Sequence, residues 1–273
     1  MTTTDLGRRL FGLAAILFGI LTLAWGDFNG WQQIQPLGNV PHREILVVLS
    51  AAVQLFGGFA IQWSRTERLG AITLLAVYSV FALLWVPRII ATPLTYDPWG
   101  NLFEQSSLVA GALIATSRPA APGRPPAAAL IGYYLFALCT VSFTIEQVSI
   151  LSATASFVPS WIPPSQMFWA VSTTVFFALA AIALLTGVQA LLAARLTTAM
   201  ILGFQFLVWL PRPFMDPHQQ MNWAGNCQNL AIAGAAWIVS EFLARRRTAS
   251  ASGPSPALRT SVTAASSNAS IGS

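Results

Sequence analysis

The chain has 273 residues, of which 55% are apolar and only 8% are charged, and its mean hydropathy is +0.63. A soluble domain carries about three times that charged fraction, so the composition excludes an ordinary soluble protein and indicates a polytopic membrane protein. The net charge of +5 comes from arginine alone, because the chain contains no lysine.

Apolar stretches of about the length that crosses a bilayer as a helix recur along the chain. They are continuous and lack the alternation of a barrel strand, which predicts an all-α membrane protein. We predict eight transmembrane helices, in chain order Leu10 to Trp25, Ile45 to Trp63, Leu69 to Val86, Leu102 to Thr116, Leu130 to Ser149, Met167 to Leu185, Ala190 to Leu210 and Asn226 to Leu243.

The arginines predict the orientation of these spans. With the N-terminus inside, eleven arginines fall in inner segments, and only Arg43, Arg88 and Arg212 fall in outer ones. Cytoplasmic loops are enriched in arginine, so both termini are expected in the cytoplasm, with the protein in the bacterial inner membrane. The basic charge is thereby explained by topology, and we expect membrane lipids and no nucleic acid as partners.

An internal repeat is predicted from two similar stretches, LLWVPRII at 83–90 and LVWLPRPF at 207–214. A shift of 124 residues pairs Trp85 with Trp209 and Arg88 with Arg212, and also pairs Pro93 and Trp99 with Pro217 and Trp223. Allowing one deletion pairs Gln105 with Gln228 and the AGA stretch at 110–112 with that at 233–235. Four spans return the chain to its starting side, so the two units are expected to be parallel repeats.

Four segments follow from this repeat. They are a first four-helix unit at 1–117, a cytoplasmic linker rich in Pro and Ala at 118–127, a second four-helix unit at 128–247 and a disordered tail at 248–273. Within each unit the AGA stretch is small enough for close backbone approach, so we expect it to face helices and not lipid.

The stretches RRLFGLAAILFGI, VPSWIPPSQMFWAV and NLAIAGAAWIV resemble those of the DoxX-like membrane proteins. The resemblance implies a small helical bundle in the bacterial inner membrane, with some relatives linked to thiosulfate or quinone redox chemistry. It therefore implies a non-catalytic membrane component associated with a redox or membrane-protein partner. This chain differs from the simple pattern in its tandem organisation, and it offers no redox motif of its own.

The cysteines and histidines predict no bound cofactor or metal. Cys139 and Cys227 do not form a Cys-x-x-Cys pair, so we interpret them as apolar fillers. His42 and His218 lie in outer loops and cannot ligate haem within the membrane. With Glu44 and Asp216 they could hold a divalent ion, but their spacing is not that of a compact metal motif. We favour the interpretation that they are ordinary polar residues of exposed loops.

A polar site is predicted near the outer ends of the helices. Arg88 and Arg212 each follow a Trp and a Pro, and they either anchor helices to lipid phosphate or hold carboxylates in a shared site. Glu146 should lie just inside the outer boundary, where an unpaired carboxylate is costly. The candidate ligand-binding residues of this polar vestibule are Arg88, Arg212, Glu146, Glu104, Gln105, Gln228, Asn229, Trp85 and Trp209.

Three functional classes remain open on the sequence. The first is the non-catalytic component with a redox or quinone partner, which we favour. The second is a small-solute transporter or solute-binding membrane protein, for which parallel repeats and a polar site are suitable features. The third is an enzyme acting on a quinone or lipid, although no catalytic motif is present to supply its chemistry.

Overall fold

The structure is a computed structural model that describes residues 5–32, 41–117 and 125–251. Within these ranges all regular secondary structure is helical, which confirms the predicted all-α class. The predicted linker falls mostly outside the described residues, as does the tail beyond Ala251. The last linker residue, Ala127, is already helical, and Thr248 to Ala251 continue the final helix, so the tail boundary predicted at 248 was too early.

The described residues of the first half form four long helices and one short one. They are α1 (Leu6–Trp25), α2 (Arg43–Ala60), α3 (Glu67–Leu83), the short α4 (Val86–Ala91) and α5 (Tyr96–Thr116). Helix α1 ends where Gly26 takes a left-handed conformation with φ of 63° and donates its N–H to the Leu23 carbonyl. Glycine adopts this conformation without the steric cost of a Cβ, which allows a sharp exit from the helix.

In the second half, the part of the chain that the structure describes forms four long helices and two short ones. They are α6 (Ala127–Ser149), α7 (Leu151–Phe157), α8 (Gln166–Thr186), α9 (Ala190–Phe204), α10 (Arg212–Met215) and α11 (Gln220–Ala251). A single π-helical turn, Gln205–Trp209, separates α9 from α10. The short helices and the π turn were not predicted, and α5 and α11 begin about six residues before their predicted starts because polar residues occupy their first turns.

Seven helical segments of the described ranges are long and apolar enough to cross a membrane. They are Leu6–Trp25, Arg43–Ala60, Glu67–Ala91, Ala127–Ser149, Gln166–Thr186, Ala190–Met215 and Gln220–Ala249. This is the pattern expected of a multi-pass membrane protein. The predicted fourth span corresponds to α5, which is a 21-residue helix but is less apolar than these seven segments, because its first half carries Asp97, Asn101 and Glu104.

The long helices pack in a ring in the order α1, α2, α3, α5, α6, α8, α9, α11, and α11 closes the ring on α1. Helices α5 and α11 also touch each other across the middle of the ring. The prediction of two four-helix bundles needs correction at this level, because α1 packs on α11 and α6 packs on α5. The first helix of each half therefore lies against the last helix of the other half.

Small residues allow these helices to approach closely. A Cβ built on Gly111 would lie 2.7 Å from the Cβ of Ala235, and one built on Gly234 would lie 2.6 Å from the backbone nitrogen of Phe11. The alanines that flank both glycines are fully buried. The prediction that the AGA stretches face helices is confirmed, and dispersion contacts between close backbones stabilise the ring.

Helices α1 and α11 are antiparallel, which defines the two ends of the bundle. The Gly7 N–H donates to Glu241 Oε1 at 3.2 Å, so the start of α1 lies near the end of α11. The rings of Trp25 and Trp223 are 6.4 Å apart at the opposite end. We call the end with Trp25 and Trp223 the distal end and the end with Gly7 the proximal end. Arg8 pairs with Glu67 and Asp5 at the proximal end, and Arg43 pairs with Asp27 at the distal end.

Candidate functional site: a cavity at the distal end

A cavity of about 570 Å³ opens at the distal end of the second half. Its walls come from α5, α6, α7, α8, α9, the π turn and α11, and Gly30 and Trp31 reach it from the segment after α1. The volume lies in the range of small-molecule pockets. We call this space the distal cavity.

Aromatic rings make up much of the wall. Trp209 lies at the centre of this set, with its ring centroid 6.2 Å from that of Trp31 and 6.2 Å from that of Phe157. Deeper along the helices, Phe177 contacts Phe143 at 5.5 Å and Phe204 at 6.3 Å between ring centroids. Such a wall offers extended apolar surface and several π faces to a bound molecule.

Three carboxylates line the cavity: Asp97 and Glu104 from α5 and Glu146 from α6. Glu104 accepts a hydrogen bond from the indole N–H of Trp31. Its carboxylate and that of Glu146 are close enough to repel each other electrostatically, and Asp97 adds to this repulsion. Together they make this part of the wall rich in hydrogen-bond acceptors.

The position of Glu146 depends on a glycine. A Cβ built on Gly100 would lie 3.2 Å from the Glu146 carboxyl carbon, so the missing side chain leaves room for the carboxylate against α5. Within the described residues, the Glu146 carboxylate makes no hydrogen bond and no ion pair. A half-buried carboxylate without a protein partner is costly at this depth, which makes it a candidate ligand contact.

Arg212 is the one arginine among the described residues that line the distal cavity. Its guanidinium carbon lies 4.3 Å from the centroid of Phe157 and 5.0 Å from that of Trp209. These are cation–π distances, so the positive charge of Arg212 is held against two aromatic faces of the wall. The ion pairs within the described residues are instead those of Arg8 and Arg43.

The π turn shapes the wall beside Trp209. In a π turn the N–H groups shift to the fifth preceding carbonyl, and Leu210 N donates to Gln205 O at 2.8 Å. Asn229 donates to Gln205 Oε1 at 2.9 Å and to the Ile201 carbonyl at 3.0 Å. Asn226 donates to the Trp209 carbonyl at 2.5 Å and accepts from Gln205 Nε2 at 2.7 Å. Side chains of α11 thus fix the irregular segment.

The predicted vestibule residues separate into three sets in the structure. Glu104, Glu146, Arg212, Asn229 and Trp209 line the distal cavity. Gln105 and Gln228 lie in the interior, where Gln105 Nε2 donates to Gln228 Oε1 at 3.2 Å. Trp85 is buried, and the guanidinium of Arg88 lies 5.5 Å from its ring. A binding role for any of these residues stays a prediction.

The corresponding end of the first half is occupied by the segment that follows α1. Phe28, Asn29 and Gln32 of this segment are each 2% exposed or less. Gln32 Nε2 contacts Gln54 Oε1 of α2 at 3.4 Å, and the Trp31 carbonyl accepts the indole N–H of Trp85 at 3.1 Å. The segment therefore lies among α2, the junction of α3 with α4, and α5.

Sequence reasoning missed several cavity residues. Asp97, Trp31 and Gln147 line the cavity, as do Phe157 and Trp169. A signal existed for Gln147, which follows Glu146, and for Asp97, which lies in the outer segment before the predicted fourth span. Trp31 gives no such signal, because its place in the cavity depends on the path of the chain after α1.

No family model, curated protein or solved structure matches this chain. The resemblance to the DoxX-like proteins therefore stays a prediction from the quoted stretches.

Proposed function

We propose that this protein is a multi-pass inner-membrane protein that binds a small, largely apolar solute in the distal cavity. The observation that carries the proposal is the cavity itself, which combines aromatic walls with a few convergent polar groups. This combination is typical of small-molecule sites. Of the classes open on the sequence, the geometry supports the solute-binding or transport class best.

For the topology we propose eight spans, with α5 as the eighth and both termini in the cytoplasm. Helix α5 has 21 residues, or about 31 Å of helix, which is enough to cross the hydrocarbon layer. It packs against α3, α6 and α11, and this shielding from lipid accounts for polar residues such as Gln105 and Ser107 that are buried in its interior face. A reporter fused after Ser250 should be active only on the cytoplasmic side.

We also propose that the two halves are structural repeats, and equivalent contacts support this. The indole N–H of Trp99 donates to the Pro93 carbonyl at 3.1 Å, and that of Trp223 donates to the Pro217 carbonyl at 3.0 Å. Gly7 of α1 contacts Trp237 and Ile238 of α11, while Gly132 of α6 contacts Leu113 and Ile114 of α5. Trp99 and Trp223 are 124 residues apart, whereas Ile114 and Trp237 are 123 apart, which is also the spacing of Gln105 and Gln228.

The redox or quinone partner implied by the DoxX-like resemblance is a separate proposal, and the resemblance alone supports it. Copurification of a redox subunit from the native membrane tests it directly. The distal cavity offers a role without catalysis, in which the protein binds a solute and presents it to such a partner.

Filling the cavity tests solute binding. Thr173 lines it from α8, whereas Val175, two residues further along, is exposed on the outside of the same helix. Wild type, Thr173→Trp and Val175→Trp would be extracted mildly, and the small molecules retained by each would be identified by mass spectrometry. We expect a compound that is present in wild type and Val175→Trp and depleted in Thr173→Trp. Identical inventories in all three proteins would rule the proposal out.

A further inference from the structure

We propose that the ligand of the distal cavity is a hydrophobic organic cation, such as an aromatic or alkyl amine or quaternary ammonium compound. This inference rests on the proposed solute-binding function and specifies the chemical class of the solute. Three observations support it: the charges that line the cavity, the partners that these charged side chains already have within the protein, and the aromatic composition of the walls.

The charges that line the cavity favour a cation. Among the described residues that line the cavity there are three carboxylates, Asp97, Glu104 and Glu146, and one guanidinium, that of Arg212. An anionic ligand would have to approach the three carboxylates in order to reach this arginine. Like charges in a partly desolvated space repel strongly, so an anion is disfavoured.

The contacts within the site strengthen this conclusion. Arg212 is stacked on Phe157 and Trp209, so its charge is directed at the wall and does not neutralise the carboxylates through hydrogen bonds. Glu104 has one hydrogen-bond partner, Trp31, and Glu146 has none within the described residues. A ligand ammonium group would supply the missing counter-charge, and its N–H groups, where it has them, would satisfy the free lone pairs.

The walls favour the same class of ligand. Trp31, Trp169 and Trp209 line the cavity together with several phenylalanines. Tryptophan offers the best π face for a cation, and quaternary ammonium groups are recognised by such aromatic surroundings. The apolar remainder of the cavity would bury the hydrophobic body of the ligand. A hydrophilic cation such as a metal ion would leave most of this surface unused.

The test uses two compounds of nearly identical shape. The first is (biphenyl-4-ylmethyl)trimethylammonium, and the second is 4-neopentylbiphenyl, in which carbon replaces the charged nitrogen. Binding to the full-length protein in detergent would be measured by equilibrium dialysis, with each bound compound quantified by mass spectrometry. Glu146→Gln and Glu104→Gln remove the proposed counter-charges. Glu241→Gln is the matched control, because Glu241 lies at the proximal end and contacts Gly7 there.

We expect wild type to bind the cation about tenfold more tightly than the isostere, and each of Glu146→Gln and Glu104→Gln to lose about tenfold in cation affinity. Isostere binding should not change in these variants, and Glu241→Gln should bind the cation as wild type does. Glu104→Gln could fail to fold because Trp31 loses its charged acceptor. Glu146→Gln then decides the test, since the Glu146 carboxylate makes no hydrogen bond to any residue that the structure describes.

Two results would overturn the inference in distinguishable ways. Equal affinity for the two compounds, or wild-type cation affinity in Glu146→Gln, would show that charge does not select the ligand, and the proposed solute binding would stand if Thr173→Trp abolished binding of both. Failure of wild type to bind either compound would overturn this inference, and the mass-spectrometric inventories of wild type and Thr173→Trp would then decide separately whether the proposed solute binding stands.

Discussion

The connection after the first helix differs between the two halves of the molecule. In the first half, the described part of this connection, with Phe28 and Gln32, is buried and contacts α2 and α5. In the second half, the connection after α6 forms α7 and lies along the wall of the distal cavity. Two connections at corresponding places in the chain can therefore take different roles, one packed among helices and the other bordering a cavity.

The largest expected effect on stability concerns Trp85 and Trp209, which the 124-residue shift aligns. Trp85 is 2% exposed and donates a hydrogen bond to Trp31, whereas Trp209 is half-buried on the cavity wall. Trp85→Ala should lower the free energy of unfolding by about 3–5 kcal/mol, the usual cost of removing a large core side chain. Trp209→Ala should cost clearly less, because its ring borders an open space. Unfolding in mixed micelles measures both, and equal losses would contradict an open second half.

A smaller effect is expected where the halves should behave alike. Gly111→Leu and Gly234→Leu each force a side chain into a helix contact, and overpacking of this kind costs about 1–3 kcal/mol. Gly203→Leu is the matched control, because a Cβ at Gly203 in α9 would meet nothing within 4 Å. Thermal unfolding in detergent compares the three. Full stability of both AGA variants would show that these helix contacts are misplaced.

The π turn provides a third comparison. Asn229→Ala removes the donor to Gln205 Oε1 and to the Ile201 carbonyl. The Ile201 carbonyl keeps the Gln205 N–H as a partner, but Gln205 Oε1 loses its own, which should cost about 1–2 kcal/mol. With Gln105 paired to Gln228, the equivalent of Asn229 in the first half is Ser106, whose side chain makes no hydrogen bond within the described residues. Ser106→Ala should therefore leave the unfolding midpoint nearly unchanged. A similar loss in both variants would indicate that the π turn does not need its support from α11.

The smallest effect is expected at the contact between the halves. A double-mutant cycle with Gln105→Leu and Gln228→Leu should yield a coupling energy of about 0.6 kcal/mol, the average for hydrogen bonds between membrane helices. The apolar replacement keeps the volume similar, so the cycle isolates the amide contact. A coupling energy of zero would contradict the hydrogen bond between Gln105 and Gln228.

The helices and part of the site could be predicted from the sequence, for identifiable reasons. Glu146 and Glu104 stand out because a carboxylate is rare in an apolar stretch, and Arg212 and Trp209 because they recur with Arg88 and Trp85. The π turn could not be predicted, since the repeat spacing stays at 124 residues through it. The packing of α1 on α11 could not be predicted either. The helices α5 and α11 have similar sequence patterns, and the pattern does not decide which of them α1 contacts.

The hydrogen bond between Gln105 and Gln228 has a consequence for motion within the bundle. It joins α5 to α11 in the buried interior, where no water competes for the two amides. Sliding one helix along the other would separate the amides and leave both without this partner, and an unsatisfied polar group is costly in such surroundings. We therefore expect α5 and α11 to move together, and any rearrangement that admits a solute to involve the helices around them.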